Sequence, residues 1–169
     1  MRTVLVGLLL LAGCTPPSAP TPSATPTPAA GLEAAAIEAG LITDPASNDI
    51  TGLYARDSDR VCIVPAATDY RIGVSIDHGD GPACDGSGTV ARTGDALAVD
   101  FPAAPGCSFA ARFDADRIVF PGQVPDACRA LCRARASIAA LSVDRLSDSA
   151  SEASALRDTK GRLLCGGSG

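Results

Sequence analysis

The sequence is poor in aromatic residues and in basic residues. It contains no Trp, and its two Tyr and four Phe make up only 4% of the 169 residues. Its 14 Lys and Arg against 19 Asp and Glu give a formal net charge of −5. That balance argues against a nucleic-acid-binding protein, which would present a basic face, and gives little attraction to an anionic lipid surface. The length suits a single domain with some appendages.

Residues that usually carry catalysis are also scarce. His78 is the only histidine, and the chain has neither a Gly-x-Ser-x-Gly motif nor a Cys-x-x-Cys pair. The first motif marks the nucleophile elbow of a hydrolase, and the second marks a thioredoxin-like redox enzyme. We therefore predict a protein that is not an enzyme and uses no cofactor. A small hydrolase that depends on the loop around His78 is the weaker alternative.

No apolar run in the chain is long enough for a transmembrane helix, which needs about twenty residues. The run Val4–Ala12 follows a positively charged start and has the length of a signal-peptide core. It ends in Leu11-Ala12-Gly13-Cys14. This tetrapeptide, placed after such a core, resembles the lipobox of bacterial lipoproteins.

The resemblance implies that residues 1–13 are a signal peptide and that Cys14 is thioether-linked to diacylglycerol, with palmitate among the acyl chains. Cys14 is followed by Thr15, not by the Asp associated with inner-membrane retention. In a cell with two membranes, this implies a lipid anchor in the outer membrane and a domain facing the periplasm. The alternative is a signal peptide cleaved elsewhere, which leaves Cys14 as an ordinary thiol.

Residues 14–30 combine the lipidated cysteine with a proline-rich tether. Thr15–Ala30 contains six prolines and no charged or large apolar residue, so it cannot build a core. We expect an extended spacer between membrane and domain. The following segment is rich in Ala and Glu, which favour helix, and Asp44-Pro45 stops it. These features predict a short helix over 31–44.

Residues 50–166 carry a clear strand pattern. Every second residue from Tyr70 to Ile76 is large and apolar, which is typical of a half-buried strand. Leu97–Phe101 and Cys107–Phe113 alternate in the same way, and further strands are predicted over 51–56, 61–65, 86–92 and 117–120. All six aromatic residues lie among these segments, so we expect this part of the chain to form the main core.

The pattern predicts a mainly β fold (α+β): a small antiparallel meander or barrel of about seven strands with flanking short helices, stapled by disulfides. Turns are expected at 93–95 and 114–116. A helix is expected to begin at Pro125 and run to Cys132. Residues 134–146 either continue that helix or form a closing strand. A further C-terminal helix is predicted over 149–157, ended by Gly161.

Setting Cys14 aside leaves six cysteines, and an even number in an exported chain predicts three disulfides. Cys84 and Cys107 flank the arms of one predicted hairpin, so we expect them to pair. Cys128 and Cys132 are four residues apart, so each is expected to take a different partner. The six residues are Cys62, Cys84, Cys107, Cys128, Cys132 and Cys165. A zinc site is the rival interpretation, but the Cys-x3-Cys spacing and the distant histidine do not favour it.

Two groups of residues are candidates for binding. The loop after the predicted strand at 70–77 gathers carboxylates and the histidine, with the side chains Asp77, His78, Asp80 and Asp85. Such a loop can hold a cation or a general base, although turn residues alone explain it. Arg129, Arg133 and Arg135 form a small basic patch, the first two on one face of the predicted helix. The patch suits an anionic glycan or phosphate, and ordinary surface ion pairs are the alternative.

The candidate site residues favour binding over chemistry. We expect a non-catalytic cell-envelope lipoprotein whose β-domain binds an envelope or extracellular protein, or a glycan such as peptidoglycan. A purely structural envelope lipoprotein is the alternative. In layout the chain is similar to small periplasmic lysozyme-inhibitor lipoproteins, and Gly52-Leu53-Tyr54 resembles the first-strand motif of small calycin-like barrels. The resemblance implies an inhibitor-like role.

Overall fold

The computed structural model describes residues 31–39 and 49–166. The predicted signal peptide (1–13), Cys14, the tether (14–30) and the end of the predicted helix beyond residue 39 lie outside these ranges. The predicted helix is present as α1, Leu32–Glu38. Within the described ranges, no helix has the length and apolar character needed to cross a membrane.

The domain is mainly β and contains a closed antiparallel barrel. Its strands, two further helices and one short outer strand have the following bounds: β1 Gly52–Arg56, β2 Asp59–Pro65, β3 Tyr70–Asp77, β4 Ala83–Thr93, β5 Ala96–Asp100, β6 Ser108–Asp114, β7 Arg117–Val119, a 3-10 helix Asp126–Leu131, β8 Cys132–Arg133, β9 Ser142–Ser147 and α2 Ala150–Ser154.

Eight of these strands close the barrel in simple chain order. Successive strands from β1 to β7 pair with each other, the last such pair being β6 with β7. The strand β9 pairs with β7 and β1, and β8 lies against the start of β4 outside the ring. The predicted fold class is therefore confirmed, with one more barrel strand than expected. The additional strand is β9. Of the two alternatives for residues 134–146, a continued helix or a closing strand, the structure therefore shows the closing strand, preceded by a loop. Closure leaves no long sheet edge exposed.

The two ends of the barrel differ. The entry end comprises residues 49–51, where the chain enters the barrel, with the short connections 66–69, 94–95 and 115–116. The loop end comprises the connections 57–58, 78–82, 101–107 and the long connection 120–141. The 3-10 helix and β8 belong to that long connection, so most of the irregular chain lies at the loop end.

The barrel interior is filled by the apolar face of each strand. The alternation predicted for β5 and β6 is the alternation of buried and exposed side chains in the structure. In β3 every residue from Ile72 to Ile76 is buried, because the C-terminal segment covers the outer face of this strand at Gly73. Four of the six aromatic residues are buried, and Tyr70 and Phe109 pack against the same core. An eight-stranded barrel is just wide enough for its own side chains to fill it, and this interior follows that rule.

A charged side chain closes the interior at the entry end. Arg145 on β9 is only 9% exposed and bonds to Asp116, with 2.9 Å between Nε and the carboxylate. Its guanidinium also donates to the carbonyl of Thr51 at 2.5 Å and lies 5.1 Å from the ring centre of Tyr54. Burial raises the pKa of the Tyr54 phenol, and Arg145 acts in the opposite direction. The arginine thereby connects the last strand to the residues that precede the first strand.

The C-terminal segment covers part of the outer wall. A second apolar cluster lies outside the barrel, where Ala153 of α2, Leu164 and Cys165 pack on Cys62 and Val64 of β2. The predicted C-terminal helix is confirmed but short, since α2 ends at Ser154. Its start is well defined because the side chain of the N-cap Ser149 accepts a hydrogen bond from the amide of Glu152.

Three disulfides form, and they correct one predicted pairing. The pairs are Cys62–Cys165, Cys84–Cys132 and Cys107–Cys128. The expected pairing of Cys84 with Cys107 is wrong because β5 lies between their strands. Two strand spacings separate the residues by about 10 Å, which is too far for a disulfide. The expectation that Cys128 and Cys132 take different partners is confirmed.

Candidate functional site

All the candidate binding residues predicted from the sequence lie at or beside the loop end of the barrel. They belong to two neighbouring structures there. One is the β3–β4 connection with His78, and the other is the long connection that carries the three arginines. Only one arginine links the two structures, and the residues do not converge on one site.

The His78 connection is an ordinary turn. The carboxylate of Asp77 accepts a hydrogen bond from the amide of Gly79 at 2.9 Å, and the amide of His78 donates to the carbonyl of Pro82 at 3.1 Å. Asp80 has a positive φ of 44° and is exposed. Hydrogen bonds of this kind satisfy a loop backbone. The arrangement therefore explains the carboxylates of this loop without a ligand.

Asp85 has a structural role on the outer wall. Its side chain is only 13% exposed, and it accepts hydrogen bonds from the hydroxyls of Ser75 at 3.2 Å and Thr159 at 2.6 Å. A guanidinium nitrogen of Arg133 lies 3.7 Å from the same carboxylate. The residue thus attaches the C-terminal segment and the long connection to β4.

The predicted basic patch is divided in the structure. Arg129 and Arg133 do not share a helix face, because the 3-10 helix ends at Leu131 and Arg133 lies on β8. Cys132 pairs with Cys84 in the ladder between β8 and β4, which draws this part of the chain into extended form. Arg133 then points to the β3–β4 connection, where it donates to the carbonyl of Gly81 at 3.3 Å.

Arg129 and Arg135 line a cleft at the loop end. The cleft has a volume of about 560 Å³ and lies between the 3-10 helix and the segment 134–139. Arg129 forms an ion pair of 2.9 Å with Asp126, and both side chains are more than four-fifths exposed. Within residues 31–39 and 49–166, Arg135 has no salt-bridge partner. The cleft therefore presents one neutralised and one unneutralised guanidinium.

Two disulfides hold the wall of the cleft in place. Cys128 within the 3-10 helix is joined to Cys107 directly before β6, and Cys132 directly after the helix is joined to Cys84 on β4. The opposite wall is held by the amide of Ala140, which donates to the carbonyl of Pro121 at 2.8 Å. A loop fixed on a rigid scaffold is the usual setting of a binding site.

The candidate residues predicted from the sequence did not include Asp59 and Asp126, two carboxylates at the loop end. One carboxylate oxygen of Asp59 is buried without a hydrogen-bond partner among the described residues. Burial raises the pKa of Asp59, whereas the nearby His78 lowers it. Asp126 could have been found from its position three residues before Arg129, a spacing that favours a helical ion pair. Asp59 gives no comparable signal, because its burial depends on the closed barrel.

The described residues contain no group of three or more His, Cys, Asp or Glu side chains that could hold a metal ion. No family model, curated protein or solved structure matches the chain. The assignment of function depends on the site alone.

Proposed function

We propose that this protein is a non-catalytic cell-envelope lipoprotein that uses the loop end of its barrel to bind an envelope or extracellular partner. In this proposal Cys14 carries the lipid, residues 15–30 form the tether, and the domain faces the periplasm from the outer membrane. The partner is a protein or a glycan such as peptidoglycan, and an inhibitor-like role is one form that such binding takes.

The observation that carries the proposal is the cleft between the 3-10 helix and residues 134–139. It combines a concave shape with two arginines, and both of its walls are fixed by covalent or hydrogen bonds. The interior of the barrel supports the same conclusion, because it is occupied by a continuous apolar core. A partner is therefore expected on the outside of the barrel.

Capture of peptidoglycan and of lysozyme by the full chain tests the binding role. We expect the immobilised protein to enrich one of the two, and a variant with Arg129→Gln and Arg135→Gln to lose most of that enrichment. The matched control is Arg112→Gln, because Arg112 is an exposed arginine paired with Asp114 on the strand β6. Absence of enrichment with either partner would favour a purely structural lipoprotein.

The lipid anchor and the enzyme alternative have separate tests. Incorporation of radiolabelled palmitate should occur in the natural chain and disappear in Cys14→Ser, while cell fractionation should find the natural chain in the outer membrane. Recovery of unlabelled protein among cytosolic proteins would contradict the envelope assignment. If a hydrolase screen detects activity, His78→Ala must remove it for the enzyme alternative to stand.

A further inference from the structure

The cleft at the loop end has the size of a site for a small organic group. Its volume of about 560 Å³ lies within the range of roughly 300–1,000 Å³ that ligand pockets occupy. Val124, Pro125 and the buried side chain of Ile138 give it an apolar floor. Small residues on its far wall, Ala134 and Ala136 among them, leave the space open.

The rim of the cleft carries one net positive charge. The charged residues that line it are Arg129, Arg135 and Asp126, so two positive charges stand against one negative charge. The carboxylate of Asp126 neutralises the guanidinium of Arg129 in an ion pair of 2.9 Å. The guanidinium of Arg135 is available to a ligand, since it has no salt-bridge partner within the described part of the chain.

The hydroxyl group of Ser137 lies on the same wall of the cleft as Arg135, in the segment 134–139. The oxygen of Ser137 accepts a hydrogen bond from the amide of Ala139 at 3.0 Å, which fixes the position of the side chain. A serine hydroxyl that accepts a bond still has a hydrogen to donate. Ser137 and Arg135 both line the cleft, which therefore contains two kinds of hydrogen-bond donor.

From this arrangement we infer that the cleft binds a carboxylate attached to a sugar ring or a short peptide. The guanidinium of Arg135 takes the carboxylate as a bidentate partner, Ser137 donates to one of its oxygens, and the apolar floor contacts the body of the ligand. The inference rests on the proposed function and names the chemistry that the partner must display.

The charge balance favours a carboxylate over a phosphate monoester. One unneutralised arginine matches a single negative charge, whereas a phosphate monoester carries about −1.5 to −2 at neutral pH. The net charge of −5 on the chain adds repulsion against a more highly charged ligand. Because the rim is exposed, the affinity for one group is modest, and a polymer that repeats the group gains by avidity.

Titration of the full chain in detergent micelles with matched probes tests the inference. We would follow the guanidinium Nε–H signals by NMR while adding N-acetylmuramic acid, and in parallel N-acetylglucosamine, which lacks the carboxylate. A second pair, acetyl-dialanine and its C-terminal amide, distinguishes a peptide source from a sugar source. We expect the acid of at least one pair to bind about tenfold more tightly than its neutral partner.

Three variants locate the site. Arg135→Gln should weaken binding of the acid about tenfold, and Arg135→Lys should weaken it less, because lysine keeps the charge but loses the bidentate geometry. Asp126→Asn raises the rim charge from one to two and should improve binding of inorganic phosphate several-fold. Arg112→Gln is the control and should bind as the natural chain does.

Equal binding of acidic and neutral probes, or an unchanged affinity in a folded Arg135→Gln variant, would overturn the inference. Tighter binding of inorganic phosphate than of either acid would overturn the preference for a carboxylate. The two proposals fail separately. If Arg135→Gln still captures peptidoglycan or lysozyme at the natural level, the carboxylate site is wrong but the binding role stands. If the natural chain captures neither of them, the binding role is wrong.

Discussion

Arg145 and Tyr54 join the last strand of the barrel to the first through a stacked contact, with the guanidinium carbon 5.1 Å from the ring centre. The same guanidinium lies 5.5 Å from the ring of Phe113. The phenol of Tyr54 donates to the carbonyl of Ile50 at 2.8 Å, so arginine and tyrosine both fix the chain where it enters the barrel. This contact locks the seam between β1 and β9, at which the ring closes.

Loss of this arginine should destabilise the fold markedly. Arg145→Ala removes an ion pair, hydrogen bonds to backbone carbonyls and two ring contacts, and we expect a loss of about 2–3 kcal/mol. The measurement is guanidinium chloride unfolding of the oxidised chain. Arg117→Ala is the control, because Arg117 pairs with Asp144 on the exposed outer face and should change the midpoint little. Equal effects of the two variants would disprove the structural role of Arg145.

Gly73 should be intolerant of a side chain. A Cβ atom there would lie 2.6 Å from Cβ of Leu164 and 2.7 Å from Sγ of Cys62, so Gly73→Ala must displace the C-terminal segment. We expect a loss of about 1–3 kcal/mol and faster reduction of Cys62–Cys165. Gly122→Ala has open space around its Cβ and serves as the control. Unaltered stability in Gly73→Ala would mean that the C-terminal segment does not pack on β3.

The three disulfides should differ in their contribution to stability. They close loops of 103, 48 and 21 residues for Cys62–Cys165, Cys84–Cys132 and Cys107–Cys128. Chain entropy predicts losses of about 4.7, 4.1 and 3.3 kcal/mol when each pair is replaced by serine. Peptide mapping of the oxidised chain checks the pairing first, and unfolding of the three variants then checks the order. A Cys84–Cys107 peptide would contradict the structure.

Protonation of the Asp158 carboxylate in acid should lower the free energy of unfolding of the domain. Its side chain is 1% exposed; burial acts to raise its pKa, but hydrogen bonds from Arg162 and Lys160 outweigh burial and leave the pKa below the ordinary value of 3.8. A lowered pKa in the folded state stabilises the fold above pH 3.8, and this gain is lost as the pH falls through the folded-state pKa.

The variant Asp158→Asn isolates that contribution. It should cost about 1 kcal/mol at neutral pH, and the difference from the natural chain should shrink below pH 4. Unfolding curves from pH 7 to pH 2 measure the difference. Asp95→Asn is an exposed control in the connection between β5 and the strand before it. A difference between natural chain and variant that stays constant with pH would show that the charge of Asp158 does not contribute.

The sequence predicts the positions of strands along the chain better than it predicts which strands pair with each other. Alternation from Tyr70 to Ile76 depends only on which side of the sheet each residue occupies, so it marks β3 directly. The closing strand β9 is harder to predict, because its inward positions include Arg145, whose charge breaks the apolar pattern. Its burial makes sense only once Tyr54 and Phe113 are placed beside it. The ring closure therefore could not be read from the local pattern.

The candidate site shows the same limit. Arg129 and Arg135 are visible in the sequence as a basic patch, but their separation from Arg133 depends on the pairing of Cys132 with Cys84. Cysteine pairing is a long-range property that spacing does not determine. The cleft likewise depends on the distance between the 3-10 helix and residues 134–139, which no local motif encodes. Residue types were predictable, whereas their grouping was not.

The opposite positions of chain entry and cleft have a mechanical consequence. With the proposed anchor at Cys14, tension from the membrane is applied at residue 49, while a partner held in the cleft pulls from the far end of the barrel. Force then runs parallel to the strands, so the ladders between them are sheared together rather than unzipped one bond at a time. The disulfides of Cys128 and Cys132 transmit this force from the cleft to the strands β6 and β4. The barrel is therefore expected to stay folded when a bound partner moves relative to the membrane.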